Sequence, residues 1–275
     1  MPDYCSPSKV FNHKKINTCY DSIDIKHIVM AFNKYIKNSE LCYQKNNKTS
    51  CISRIPINKY QSDDKLYNEL SNRLKELCKN EFCWIDLPFI QRISDKNLKH
   101  SILYFTFKPK GLLSKTTWFN TTNINEIMEQ YQDLYKDVFT FLGAQPSDYS
   151  KITQINWKRI KKIPYIGIIF NTDPHTEPGK HWVAVFIDNK TKHVNYFDSL
   201  GKLPNKNITS FLKHFKKYHF SFNMKEHQKG GSNCGVYSCY FIIERLKGNS
   251  FENINKQFIS DKQMTQYRDF LFRPN

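Results

Sequence analysis

The sequence predicts an α+β fold, a mixed β-sheet flanked by helices and preceded by a smaller helical region. Two patterns carry this expectation. From Tyr165 to Met224 the apolar residues mostly follow the period of strands, whereas the stretches before residue 135 and after residue 234 follow the helical period. Strands surrounded by helices, with the helices partly segregated along the chain, fit α+β. The 275 residues are 39% hydrophobic and 15% aromatic, enough for a large core.

Taken in order, residues 1–110 read as a basic, mainly helical accessory arm and residues 111–275 as the core domain. Ser22 can cap a helix whose apolar face is Ile25, Ile28, Val29, Phe32 and Ile36, with Lys/Asn-rich loops around it. Ser62 opens a second helix with Leu66, Leu70, Leu74 and Leu77 in phase. Residues 102–107 (Ile-Leu-Tyr-Phe-Thr-Phe) read as extended. Thr121 or Thr122 caps a third helix through Ile124, Ile127, Met128, Tyr131 and Leu134. Strands are predicted at 165–170, 181–187, 193–197 and 219–224, with a hairpin turn over 188–192 and a helix over 205–217. Ser260 and Gln263 form a capping box for a last helix.

Composition narrows the classes. No apolar run approaches the roughly 20 residues of a membrane helix, and the N-terminus lacks a secretory signal pattern, so a soluble, cytosolic chain is expected. Eight cysteines without a Cys-x-x-Cys pair, in a chain of this length, read as reduced thiols rather than a disulfide framework or zinc site. No metal or cofactor is implied. A net charge of +17, from 42 basic and 25 acidic residues, predicts salt-dependent, non-specific attraction to DNA or other polyanions. The sequence carries no signature of oligomeric state.

The chemistry converges on Cys234. A polar loop bearing Gly230 and Gly231 runs into an apolar helix, and Cys234 stands at the join. A thiol there meets unpaired backbone N–H groups and the positive end of the helix dipole, both of which favour thiolate. A nucleophilic thiol needs a base, a group that orients the base, and donors for the oxyanion. His181 starts one predicted strand and Asp198 ends the next. In an antiparallel pair those positions share one edge of the sheet, so the carboxylate can hold the imidazole. Gln228, six residues before Cys234, can place its amide beside the thiolate with the Cys234 N–H. Cys239, five residues along the helix, belongs to the core. His175 paired with His181 as metal ligands lacks a supporting acid. Lys213, Lys216 and Lys217 read as a solvated helix face.

His181-Trp182, Tyr196-Phe-Asp198-Ser-Leu and Gln228-x5-Cys234-Gly235 together resemble the catalytic blocks of the SUMO-deconjugating and adenovirus-type cysteine proteases, in the family's order of His, Asp or Asn, Gln, Cys. Asn171-Thr-Asp, Gly179-Lys-His-Trp and Leu271-Phe-Arg273 are similar to the polyprotein-processing proteases of nucleocytoplasmic large DNA viruses, of the African swine fever virus type. The resemblance implies a papain-like core with His181 as base, Asp198 as its orienter, Gln228 as oxyanion donor and Cys234 as nucleophile. It also implies that Trp118 and Trp182 wall a tunnel for Gly-Gly ahead of the scissile bond, with Thr121 where the deconjugating enzymes carry an acid. The implied activity is endoproteolysis of viral structural polyprotein during capsid or core maturation, in the host cytoplasm and the virion. Two alternatives follow: a deconjugase of SUMO- or ubiquitin-like proteins, and a nucleic-acid-associated core protein that keeps the fold without the activity.

Overall fold

The computed structural model describes residues 2–12, 18–57 and 62–274. Parts of the Lys/Asn-rich loops around the first predicted helix, 13–17 and 58–61, lie outside the described residues. The chain forms two compact units, Met1–Lys108 and Pro109–Asn275. Among the described residues, no helix is long and apolar enough to cross a membrane.

The first unit contains α1 (Pro7–Asn12), α2 (Ser22–Asn38), the hairpin β1 (Cys42–Lys45) and β2 (Lys48–Cys51), α3 (Asp63–Leu74), a 3-10 segment Glu81–Asp86, α4 (Pro88–Gln91) and α5 (Lys96–Tyr104). The cap of α2 is Asp21 rather than Ser22, in a reciprocal box with Asp24. Its buried face, Ile25, Ile28, Val29 and Phe32, belongs to the same core as Leu66, Leu70, Leu74, Trp84 and Phe89. This unit has its own core.

Two expectations are corrected here. Residues 102–104 complete α5 instead of forming a strand, because Asp95 accepts from Asn97 N–H and Leu98 N–H and nucleates a helix that buries Ile102. Six cysteines are not free thiols but pair as Cys5–Cys19, Cys42–Cys51 and Cys78–Cys83. The physical reason is clearest at the β1–β2 hairpin. Its side chains are intermediate or exposed, a lone two-stranded hairpin is marginal in water, and Cys42 lies directly opposite Cys51 in the register, where a covalent link closes it.

The second unit carries a five-stranded sheet in the order β3-β4-β5-β6-β7. These are β3 (Phe139–Gln145), β4 (Tyr165–Asn171), β5 (Trp182–Asp188), β6 (His193–Phe197) and β7 (His219–Phe222). The two outer pairings are parallel and the two inner ones antiparallel, so the sheet is mixed. Helix α6 (Thr121–Leu134) precedes β3 and is capped by Asn120, one residue ahead of the expected threonine. Short helices α7 (Tyr149–Ile152) and α8 (Trp157–Ile160) follow β3, α9 (Lys206–Leu212) separates β6 from β7, and α10 (Cys234–Leu246), α11 (Phe251–Lys256) and α12 (Asp261–Leu271) end the chain.

β5 is buried along its whole length. That explains its unbroken apolar sequence, since each face needs its own packing layer. Trp182, Ala184 and Phe186 join the layer of α6, α10 and α12. Val183, Val185 and Ile187 join the layer of α9, through Ile208, Phe211 and Leu212. Close approach at the head of α10 depends on Gly235, where a Cβ would fall 2.8 Å from Phe119 Cβ. Any side chain there would push α10 off the segment bearing Trp118.

Candidate active site

The sheet register brings His181 and Asp198 together. Ala184 pairs with Phe197, so His181, just before β5, and Asp198, just after β6, leave the sheet at one end. His181 Nε2 donates to Asp198 Oδ1 at 2.6 Å. That leaves the second ring nitrogen, Nδ1, for Cys234, which acts on the imidazole from close by. Asp198 is itself fixed. Its N–H donates to Asn223 Oδ1 and its carbonyl accepts from Asn223 Nδ2, both at 2.7 Å, and Leu200 N–H donates to its carboxylate at 2.8 Å. Asn223 is fully buried just beyond β7. Sequence reading missed it, because a lone asparagine after a strand carries no motif.

Electrostatics follow from this geometry. Burial pulls the His181 pKa down, but the hydrogen bonds to Asp198 and Cys234, together with their charges, outweigh it and carry the imidazole up to about 9. At neutral pH the ring is an imidazolium, the state that pairs with a thiolate. His227 behaves oppositely: its burial, with Lys225 nearby, lowers it to about 4, so it is a neutral packing group that accepts from Ile259 N–H.

Cys234 is 2% exposed at the first turn of α10, facing His181. Cys239 is buried in the core, where desolvation pushes its thiol above the usual range. Gln228 is held by its carbonyl end, which accepts from Ser199 Oγ at 2.7 Å and so identifies Nε2 as the donor end. That nitrogen donates to the Gly230 and Gly231 carbonyls at 3.2 Å. A side chain at either glycine would meet open space, so this loop has room to yield the amide to another acceptor.

The two tryptophans line one cavity of about 560 Å³, together with Asn120, Asn171, His175 and Lys180. Trp182 is buried, its indole N–H donating to the Phe119 carbonyl at 2.8 Å, while Trp118 stands 54% exposed. His175 is bonded to Asp148 at 2.7 Å rather than to His181. Among the described residues, the groups close enough to share a metal are Cys5, Cys19 and Glu81, and Glu40, Cys42 and Cys51, with both cysteines of each group in a disulfide.

Residues 109–275 match the model of the Ulp1 protease family, C-terminal catalytic domain. A thiol protease of Acanthamoeba polyphaga mimivirus is 32% identical over 287 residues, covering 98% of this chain and 93% of the relative. A cysteine protease of African swine fever virus is 27% identical over 271 residues, covering 86% of this chain and 95% of the relative. The crystal structure of an African swine fever virus protease superposes with a TM-score of 0.63 at 25% identity, covering 86% of this chain and 96% of that one. Fold and relatives alike place the chain among the cysteine proteases. Within that class it belongs to the Ulp1 protease family.

Proposed function

We propose that the protein is an endopeptidase that cuts after Gly-Gly-type sites in a viral structural polyprotein during capsid or core maturation, at assembly sites in the host cytoplasm and in the virion. The observation that carries this reading is the cavity walled by Trp118 and Trp182, the second of which follows His181 in the chain. Aromatic walls favour a flat, side-chain-free segment of substrate. The viral relatives support the setting. The Cys234 thiolate attacks the scissile carbonyl, and the Cys234 N–H with the Gln228 amide stabilises the oxyanion. His181 gives its proton to the leaving amine, then takes one from the water that hydrolyses the thioester. Asp198 keeps the imidazole in the required orientation.

Several African swine fever virus relatives carry the name SUMO-1 cysteine protease, so deconjugation is the competing specificity. Offered a polyprotein peptide with an internal Gly-Gly and a SUMO–fluorophore conjugate, the enzyme is expected to cut the peptide with the higher kcat/KM. Cleavage of the conjugate alone would overturn the maturation reading.

A second reading, non-specific DNA association, has its own support. Lys161, Lys162, Lys192, Lys213, Lys216 and Lys217 are exposed, and no acidic side chain among the described residues lies within ion-pair distance of them. Lys161 Nζ sits 5.6 Å from the Phe215 ring centroid, Lys192 Nζ 5.1 Å from that of Tyr218, and the two rings are 5.4 Å apart. These cations form one surface at the β5–β6 turn, the sheet end away from His181 and Asp198. DNA held there tethers the protease and leaves its cleft open. Replacing Lys161, Lys162, Lys216 and Lys217 by serine should reduce the salt slope of duplex binding by roughly 3 to 4, with peptide cleavage unchanged. An unchanged slope would remove this reading.

A further inference from the structure

We infer that Arg268 on α12 is a positioning residue for the proposed nucleophile, holding the segment that presents Cys234 and giving its thiolate a buried positive counter-charge. The inference rests on Cys234 being the nucleophile.

Arg268 is 4% exposed. Its guanidinium spends its donors on neutral acceptors: Nε on Asn233 Oδ1 at 3.1 Å, Nη2 on the Ser232 carbonyl at 3.0 Å, and Nη1 on the Thr117 carbonyl at 2.8 Å. The guanidinium carbon lies 4.8 Å from the Phe119 ring centroid. One side chain thus joins the two residues before Cys234 to Thr117 and Phe119, which flank Trp118. Phe119 in turn seats Trp182 through its carbonyl.

The contact with Asn233 has a second consequence. Asn233 occupies the N-cap position of α10, and asparagine is among the residues that ordinarily cap with their side chains. Here it makes no such cap bond. Arg268 holds its oxygen, while its amide donates to the Asp261 carbonyl and Thr265 Oγ1. Diverting that oxygen leaves the first N–H groups of α10 without a side-chain acceptor, at the place where an anion at Cys234 needs them.

The charge argument points the same way. A buried guanidinium without an anionic partner is costly. Among the described residues, no carboxylate lies within ion-pair distance of Arg268. The two acids of its own helix are engaged elsewhere: Asp261 accepts from Lys229 N–H and Tyr237 Oη, and Asp269 pairs with Lys115 at 2.6 Å. Burial works against the Arg268 charge, and an anion at Cys234, the residue after the Asn233 that Arg268 holds, would act in its favour. The charged groups on the far side of Cys234 are His181 and, behind it, Asp198, so any observed midpoint is shared with His181.

The test compares the wild type with Arg268→Gln and Arg268→Lys. It reads kcat and KM on a Gly-Gly peptide, the melting temperature, and the pH dependence of Cys234 alkylation by iodoacetamide, located by peptide mass mapping. Loss of the counter-charge in Arg268→Gln should raise the alkylation midpoint by about one pH unit and lower kcat at least about tenfold, with KM little changed. Arg268→Lys, which keeps the charge but cannot reach all the acceptors, should keep the midpoint and recover part of kcat. A midpoint and kcat unchanged in Arg268→Gln would overturn the inference, even if the melting temperature fell. If Arg268→Gln does not fold, a wild-type kcat in Arg268→Lys overturns it. Wild-type alkylation confined to Cys234 keeps such a failure separate from failure of the nucleophile assignment.

Discussion

Cys234→Ala is expected to lose peptide cleavage by about 10⁴-fold or more while keeping the fold. In the proposed mechanism the Cys234 sulfur forms the thioester, and no other free thiol stands beside it. Cys239 lies fully buried five residues along α10, with its thiol held protonated by desolvation. The six cysteines of the first unit are in disulfides. Removing one sulfur from the edge of the core costs little stability, about 1 kcal/mol, a shift of a few degrees in Tm. Activity and melting temperature measured on the same preparation check this. Residual cleavage within tenfold of wild type would mean that another group performs the attack.

The second large effect concerns His181. Replacement by alanine should lower kcat/KM by about 10²- to 10⁴-fold, the range of general acid–base catalysis. In the wild type, the imidazolium state persists up to about pH 9, so activity should fall on the alkaline side with a midpoint near that value. The same group links pH to stability. Its folded pKa lies above its ordinary value of 6.5, so the stabilisation it confers is complete below about pH 6.5 and is lost as pH rises through about 9. Asp198→Asn removes the leading interaction that raises the pKa and should move the alkaline limb toward neutral pH. A pH–rate profile and melting curves across pH 6–10 check both. An alkaline limb that stays near 9 in Asp198→Asn would show that the carboxylate does not set the imidazole's charge.

How much of this was legible in the sequence differs by kind of information. The juxtaposition of His181 and Asp198 follows from two strand ends and one short turn, and a hairpin of that length has one sensible register. Cys234 at a helix start was equally readable, because the switch from Gly-rich loop to apolar helix is local. β3 was not readable. Its parallel partner β4 is far along the chain, and its run is interrupted by Gly143 at φ 93° and a register shift between Phe141 and Ala144. The end of α5, residues 102–104, reads as extended because aliphatic and aromatic residues fit either structure, and the deciding signal was the Asp95 cap seven residues upstream of Ile102. The disulfides were missed because compartment and composition spoke for reduced thiols, whereas pairing depends on which cysteines the fold brings together. Asn223 and Arg268 were invisible for the same reason. Each matters through a contact with a residue 25 or more positions away.

The most direct test is covalent capture by a Gly-Gly peptide bearing a C-terminal vinyl sulfone, followed by peptide mass mapping. A thioether confined to Cys234 is expected, absent in Cys234→Ala and formed more slowly in His181→Ala. Potent inhibition of cleavage without any adduct at Cys234, or an adduct that persists in Cys234→Ala, would contradict it.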